Sequence, residues 1–270
     1  MDNELFGIII CIYTHITKLL VQSTTIIMKN SVLHKADSRG HADHGWLNSY
    51  HSFSFAGYYD PERLNFGVLR VLNDDTVSAG MGFGKHPHDN MEIISIPLEG
   101  DLEHEDSIGN KTVIKQGDIQ VMSAGTGVAH SEYNKNKDKP VKFLQIWIFP
   151  NKKNVTPRYD QITLNAEDSK NKLQQILSPE KNDAGVWVHQ DAWFNIGKLE
   201  KNTEVNYSLH KKGNGVYFFI LKGDIKVNDQ LLNERDGFGV WENERFNINA
   251  VSENAEILIM EIPMVLYQQN

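Results

Sequence analysis

Val141-Lys142-Phe143-Leu144-Gln145-Ile146-Trp147-Ile148-Phe149 is the run that decides the fold. It holds no Gly or Pro and is rich in β-branched and aromatic residues, which reads as a strand. Alternate side chains of an extended chain point to opposite faces. Val141, Phe143, Gln145, Trp147 and Phe149 therefore share one face, and Leu144, Ile146 and Ile148 share the other. Both faces carry apolar groups, as expected of a central strand in a packed sandwich or barrel.

Shorter runs of the same kind lie on either side. Residues 66–72, 77–83, 92–98, 112–114 and 119–122 precede it, and 186–188, 216–222, 225–227, 237–241 and 257–262 follow it, separated by Gly, Asn and Asp. No helix of sustained 3.6-residue periodicity is expected, apart from a short one over 172–177. The expected class is all-β, with two halves alike in architecture. Composition shifts between them: Pro150-Asn151-Lys152-Lys153-Asn154 and Pro157 open a polar stretch that ends at Ser178-Pro179-Glu180-Lys181-Asn182-Asp183. This divides the chain into a first domain over 28–150, a linker over 151–185 and a second domain over 186–270.

The chain of 270 residues is long enough for one large or two modest cores, and its 40% hydrophobic content marks an ordinary globular protein. Acidic residues outnumber basic ones by 35 to 27. The resulting charge of −8 leaves no footprint for direct binding to nucleic acid or an anionic membrane. Cys11 is the single cysteine, so no intrachain disulfide forms and a reducing cytoplasm is the expected setting. Residues 5–14 are strongly apolar, but His15 and Lys18 close the run at about half the length of a membrane helix. The opening Met1-Asp2-Asn3-Glu4 also lacks the basic residues of a secretory signal. Ordinary sequence starts at Met28, and translation is expected to begin there, with residues 1–27 a doubtful extension.

The chemistry gathers between Gly80 and Glu132. His86-Pro87-His88 places two imidazoles on one face of an extended strand, as two ligands of one metal require. About 0.4 such pairs arise by chance in a chain with this His content, so the context carries the weight. Five residues separate Gly80 from His86, three separate His88 from Glu92, and Gly117 and Gly125-Thr126-Gly127-Val128-Ala129-His130-Ser131-Glu132 follow. The second pair, His130 and Glu132, brings an imidazole and a carboxylate to one face of another strand. His41, His44, His51, His104, His189 and His210 read as structural or solvated. Phe53, Phe55, Tyr58 and Tyr59 read as core packing before pocket lining, and Asp74-Asp75 reads as a turn.

The glycine and histidine pattern resembles that of the cupin superfamily, double-sheet β-barrels that hold a metal inside. Together with Arg39-Gly40-His41-Ala42-Asp43-His44-Gly45-Trp46, His51-Ser52-Phe53-Ser54-Phe55 and Leu69-Arg70-Val71-Leu72-Asn73-Asp74-Asp75, it resembles the pirin family. The similarity is closest to bacterial pirin-like proteins with quercetin 2,3-dioxygenase activity. It runs from about Met28 to Pro263 and is clearest over 35–160. The resemblance implies a bicupin of two jelly-roll domains with one metal in the N-terminal barrel, held by His86, His88, His130 and Glu132. Glu92, a ligand in many other cupins, is not one in pirins and is placed near the site. The C-terminal half lacks a ligand set: Lys211 and Lys212 follow His210, and Asp236-Gly237-Phe238-Gly239-Val240-Trp241 leads to Glu242-Asn243-Glu244 without a His.

Three neutral imidazoles and one carboxylate around a divalent ion leave a net charge of about +1 and, in an octahedron, two open positions. The implied reaction opens the heterocyclic ring of quercetin or a related flavonol with O2, releasing carbon monoxide and a depside. Glu132, once it swings off the metal, is the expected base for the flavonol 3-hydroxyl, with a neighbouring carboxylate such as Glu92 as second choice. Fe(II) is the first expected metal, and Cu, Ni, Co or Mn also suit the donors. The alternative function is a non-catalytic, metal-containing regulator that binds a transcription factor or metabolic enzyme. A bicupin already contains two barrels, so a monomer is expected.

Overall fold

A strand apolar on both faces needs a cover on each side, and the computed structural model, which describes residues 30–266, provides two. Val141–Ile148 is the middle strand of a seven-stranded sheet. The order is Arg158–Thr163, Asp118–Ser123, Glu92–Glu99, Val141–Ile148, Leu69–Val77, Leu47–His51 and Gly40–Asp43, all antiparallel. A four-stranded sheet accompanies it, in the order Gly82–His88, Val128–Asn134, Leu102–Asp106 and Lys111–Ile114. Val141 and Phe143 pack between the two sheets with Leu47, Val77, Leu102 and Ile114.

The C-terminal half repeats the plan. Its seven-stranded sheet runs Ser31–His34, Gly237–Val240, Asn214–Lys222, Ala255–Pro263, Trp193–Leu199, Leu173–Ser178 and Val186–Trp187. Its four-stranded sheet runs Glu204–Ser208, Arg245–Ala250, Ile225–Val227 and Gln230–Leu232. The two large sheets meet in one shared core. Leu144, Ile146 and Ile148 join Ile94, Ile96 and Val121 there, against Phe194, Tyr217, Phe219, Leu258 and Met260. The second face of the 141–148 strand is thus covered by the other half of the molecule.

The two interiors differ in kind. Between the C-terminal sheets lie Val216, Phe218, Ile220, Phe238, Phe246, Ile248, Ile257 and Ile259. The N-terminal interior instead buries Asn73, Asp75, Ser95, His104, Gln120, His130 and Glu132. Buried polar groups need partners, so this polar interior marks where chemistry is housed.

Three local readings differ from the structure. Residues 172–177 form no helix: Leu173–Ser178 is a strand paired with Trp193–Leu199, because Ile176 and Leu177 are drawn into the shared core. Asp74 and Asp75 are not a turn but lie inside Leu69–Val77, where Arg39 and Ser49 respectively supply their partners. Within 151–185, read from sequence as a linker, Arg158–Thr163 pairs with Asp118–Ser123 and so adds a strand to the N-terminal sheet. The segment 1–27 and the expected start at Met28 lie outside the described residues. Among the described residues no helix is long and apolar enough to cross a membrane.

Candidate metal centre

Two neighbouring strands build the site. Gly82–His88 and Val128–Asn134 run antiparallel, with His86 opposite His130 and His88 opposite Val128. A tight turn feeds the second strand. Gly125 has φ +50°, and a Cβ there would meet the Val155 carbonyl oxygen at 2.0 Å, so only glycine fits. The ring centroids of His86, His88 and His130 lie 4.5 to 5.0 Å apart, and one ligand atom from each falls within 4.8 Å of the others.

The protons point the same way. His86 Nδ1 lies 2.8 Å from the Gly84 carbonyl oxygen and must donate to it, so in the neutral ring Nε2 is the free acceptor. His88 Nε2 and His130 Nε2 are buried and have no hydrogen-bond partner. Burial, reinforced by neighbouring imidazoles, pushes His88 down to about 4 and His130 to about 3, so both stay neutral. Unpartnered neutral nitrogens converging on one point fit a divalent cation.

Glu132 stands two residues beyond His130, past a β-bulge. It forms a second group with His104 and His130, again within 4.8 Å, that shares His130 with the first. Its Oε1 accepts from Ser95 Oγ at 3.1 Å and its Oε2 from Gln145 Nε2 at 2.6 Å. Both donors belong to a row of polar side chains at one level of the sheet. The register pairs His51 with Asn73, Asn73 with Gln145, Gln145 with Ser95, and Ser95 with Gln120.

A cavity of about 610 Å³ opens beside this row, lined by His86, His88, Glu132, Phe55, Phe83 and Trp147 among others. Edge-on ring contacts lead from its wall to the centre: His51 to Phe55 at 5.3 Å, Phe55 to Trp147 at 5.4 Å and Trp147 to His88 at 4.9 Å. Also in the lining, Ser49 donates to Asp75, and His51 Nε2 lies 2.8 Å from Ser49 Oγ. Burial raises Asp75 to about 7, against the Ser49 hydrogen bond and with help from Asp74 and Glu132.

Family models match residues 32–148 to Pirin and residues 175–262 to the quercetinase C-terminal cupin domain. A quercetin 2,3-dioxygenase of Escherichia coli K12 is 42% identical over 233 residues, covering 86% of this chain and 99% of that protein. The chain belongs to the pirin family. A putative quercetin 2,3-dioxygenase of Pseudomonas aeruginosa is 40% identical over 84% of this pirin and 97% of its own length. The solved structure of the Escherichia coli bacterial pirin YhhW in complex with nickel(II) is 41% identical, with a TM-score of 0.82 over 87% of this chain and 100% of that one.

Other residues singled out in the sequence fall in different places. The pirin fold sends Glu92 to the opposite face of its strand from Ser95, where Oε2 accepts from Ser123 Oγ at 2.7 Å. Burial raises Glu92 to about 7, opposed by the bonds from Ser123 and the His189 backbone and by Arg158. Glu92 does not line the cavity. Phe53 belongs to the shared core and Tyr59 is 74% exposed, whereas Phe55 and Tyr58 line the cavity rather than pack in the core. His210 stacks on Trp193 and pairs with Glu261. The cavity lining also takes in His51, read from sequence as structural or solvated, Asp75, read as part of a turn, and Gln145 and Trp147, which the sequence placed on one face of the 141–149 run without a site role.

Proposed function

We propose that this pirin is a metal-dependent dioxygenase that opens the heterocyclic ring of quercetin or a related flavonol with O2, releasing carbon monoxide and a depside. The observation that carries the reading is the convergence of the buried, unpartnered nitrogens of His88 and His130 with the ring of His86 at an aromatic-lined cavity of ligand size. The names of the relatives support it.

His86, His88 and His130 would hold the ion, with Glu132 as the fourth ligand. When bound, the ion supplies a Lewis-acidic, redox-capable centre for an anionic oxygen donor and dioxygen. The nitrogen and oxygen donor set admits Fe, Cu, Ni, Co or Mn alike, and the resemblance to pirins puts Fe(II) first. Swung off the ion, Glu132 would take the proton of the flavonol 3-hydroxyl on a carboxylate oxygen, with Ser95 and Gln145 as the hydrogen-bond donors that receive its carboxyl. Phe55, Phe83 and Trp147 contact a flat polyphenol with their rings and keep water from the reacting atoms. The single cysteine supports a reducing, cytoplasmic setting.

The test quantifies metal by elemental analysis and follows quercetin absorbance and carbon monoxide release under oxygen. About one ion per chain with turnover is expected, and His86→Ala is expected to lose both. Bound metal without turnover across all five metals would overturn the dioxygenase reading and favour a regulatory protein. Absence of bound metal would overturn the ligand set.

A further inference from the structure

His104 is a buried histidine beside the centre to which the function above gives no role. It is fully buried on the strand Leu102–Asp106, directly opposite Glu132 in the ladder with Val128–Asn134. Both ring nitrogens are engaged. Nε2 lies 3.1 Å from Asp106 Oδ2, and Nδ1 lies 3.4 Å from His130 Nδ1. Asp106 is itself anchored as an acceptor. Its Oδ1 takes the backbone N–H groups of Ile108 at 3.0 Å and Asn110 at 2.9 Å, and its Oδ2 takes Asn110 Nδ2 at 2.8 Å.

We propose that His104 is a positioning residue: the chain Asp106, His104, His130 fixes the tautomer in which His130 presents a bare Nε2 to the metal. The protons can be placed in order. An acceptor at Asp106 puts the His104 proton on Nε2, and a neutral imidazole protonated there has a bare Nδ1. A bare His104 Nδ1 calls for a proton on His130 Nδ1. His130 Nε2 is then left unprotonated, and that atom is buried and unpartnered in the structure. The opposite order, with both His104 nitrogens protonated, puts the His130 proton on Nε2 and blocks ligation. Tyr159 packs against the His104 ring at 4.8 Å between centroids and holds its orientation.

The chain also accounts for the two overlapping potential metal groups. With both nitrogens committed, His104 does not ligate, and His130 serves His86 and His88 instead. Partners that orient a ligating histidine typically carry tenfold to hundredfold of metal affinity.

The inference rests on the metal reading above, and the test separates the two. The full chain carries His104→Leu or His104→Gln, with Co(II) as probe in chelator competition. Nitrogen-15 NMR of labelled histidine in the metal-free protein reads the tautomers directly. His104→Leu is expected to weaken Co(II) binding tenfold to hundredfold while the metal-free unfolding temperature stays within a few degrees. His104→Gln offers an amide oxygen to His130 and an amide N–H to Asp106, so it is expected to restore affinity to within a few-fold. Wild-type affinity in the leucine variant, or equal loss in both variants, overturns the proposal. So does an Nε2 proton on His130 in the wild-type spectrum, which decides the matter even if the leucine variant fails to fold. A wild-type chain that binds no Co(II) sinks the metal reading, while the spectrum still decides the tautomer.

Discussion

Glu92 and Glu132 are both buried carboxylates of the N-terminal half, and their partners separate their roles. Glu132 sits between Ser95 and Gln145 beside the cavity, whereas Glu92 meets Ser123 on the side that faces the second half. The folded-state value of about 7 for Glu92 lies above its ordinary 4.5. Between these values the folded protein keeps a proton that the unfolded chain releases, so the group's contribution to stability is full below pH 4.5 and is lost as pH rises through 7. Glu92→Gln is neutral at every pH. Urea unfolding at pH 8 is expected to find it more stable than wild type by up to roughly 3 kcal/mol, with the difference vanishing near pH 4. Metal content and turnover are expected to be unchanged. A hundredfold loss of turnover would instead make Glu92 the proton acceptor. The histidines were readable because alternate spacing within a strand is local information. Which face Glu92 occupies was not, since the run 92–98 is apolar on both sides and only the register decides which side is interior.

At the level of the element, the 141–148 strand divides its work by face. Gln145 and Trp147 line the cavity, while Ile146 lies in the shared core. Ile146→Ala is expected to destabilise the protein by about 2–5 kcal/mol and to leave turnover at 25 °C near wild type. Denaturant unfolding and steady-state kinetics on one preparation check both halves of that statement, and a loss of turnover without a loss of stability would show the faces to be misassigned. The same division explains which strands the sequence displayed. Central strands of the large sheets, such as Val141–Ile148, Asn214–Lys222 and Ala255–Pro263, are covered on both sides and appear as largely apolar runs. Glu204–Ser208 and Arg245–Ala250 belong to a small sheet and alternate buried with exposed residues, so Asn, Glu and Arg interrupt them. Residues 172–177 looked helical for a related reason, because the pull of the shared core on Ile176 and Leu177 is tertiary information.

Across the whole molecule a strand at the start of the described residues is tied to the C-terminal half. Ser31–His34 precedes the N-terminal sandwich in sequence but forms the edge strand of the C-terminal sheet, paired with Gly237–Val240. His34 Nδ1 lies 2.9 Å from the Tyr217 hydroxyl, Lys35 pairs with the buried Asp236, and the Ala36 N–H donates to Asp236 at 2.8 Å. Removing residues 1–36 takes two of the partners of Asp236, leaves the Asn233 N–H, and bares the edge of Gly237–Val240. The metal ligands and cavity remain in the shortened chain. Its expected behaviour is a loss of about 1–3 kcal/mol, the scale of leaving the buried Asp236 carboxylate short of partners, since the half-exposed Lys35 is screened by solvent and adds little of its own. An open edge also templates strand pairing between molecules, so size-exclusion chromatography is expected to show association that grows with concentration. A chain starting at Met28 keeps the edge strand and serves as the control. Equal unfolding temperatures for the two shortened chains would mean that the strand contributes nothing, and that the C-terminal sheet is complete without it.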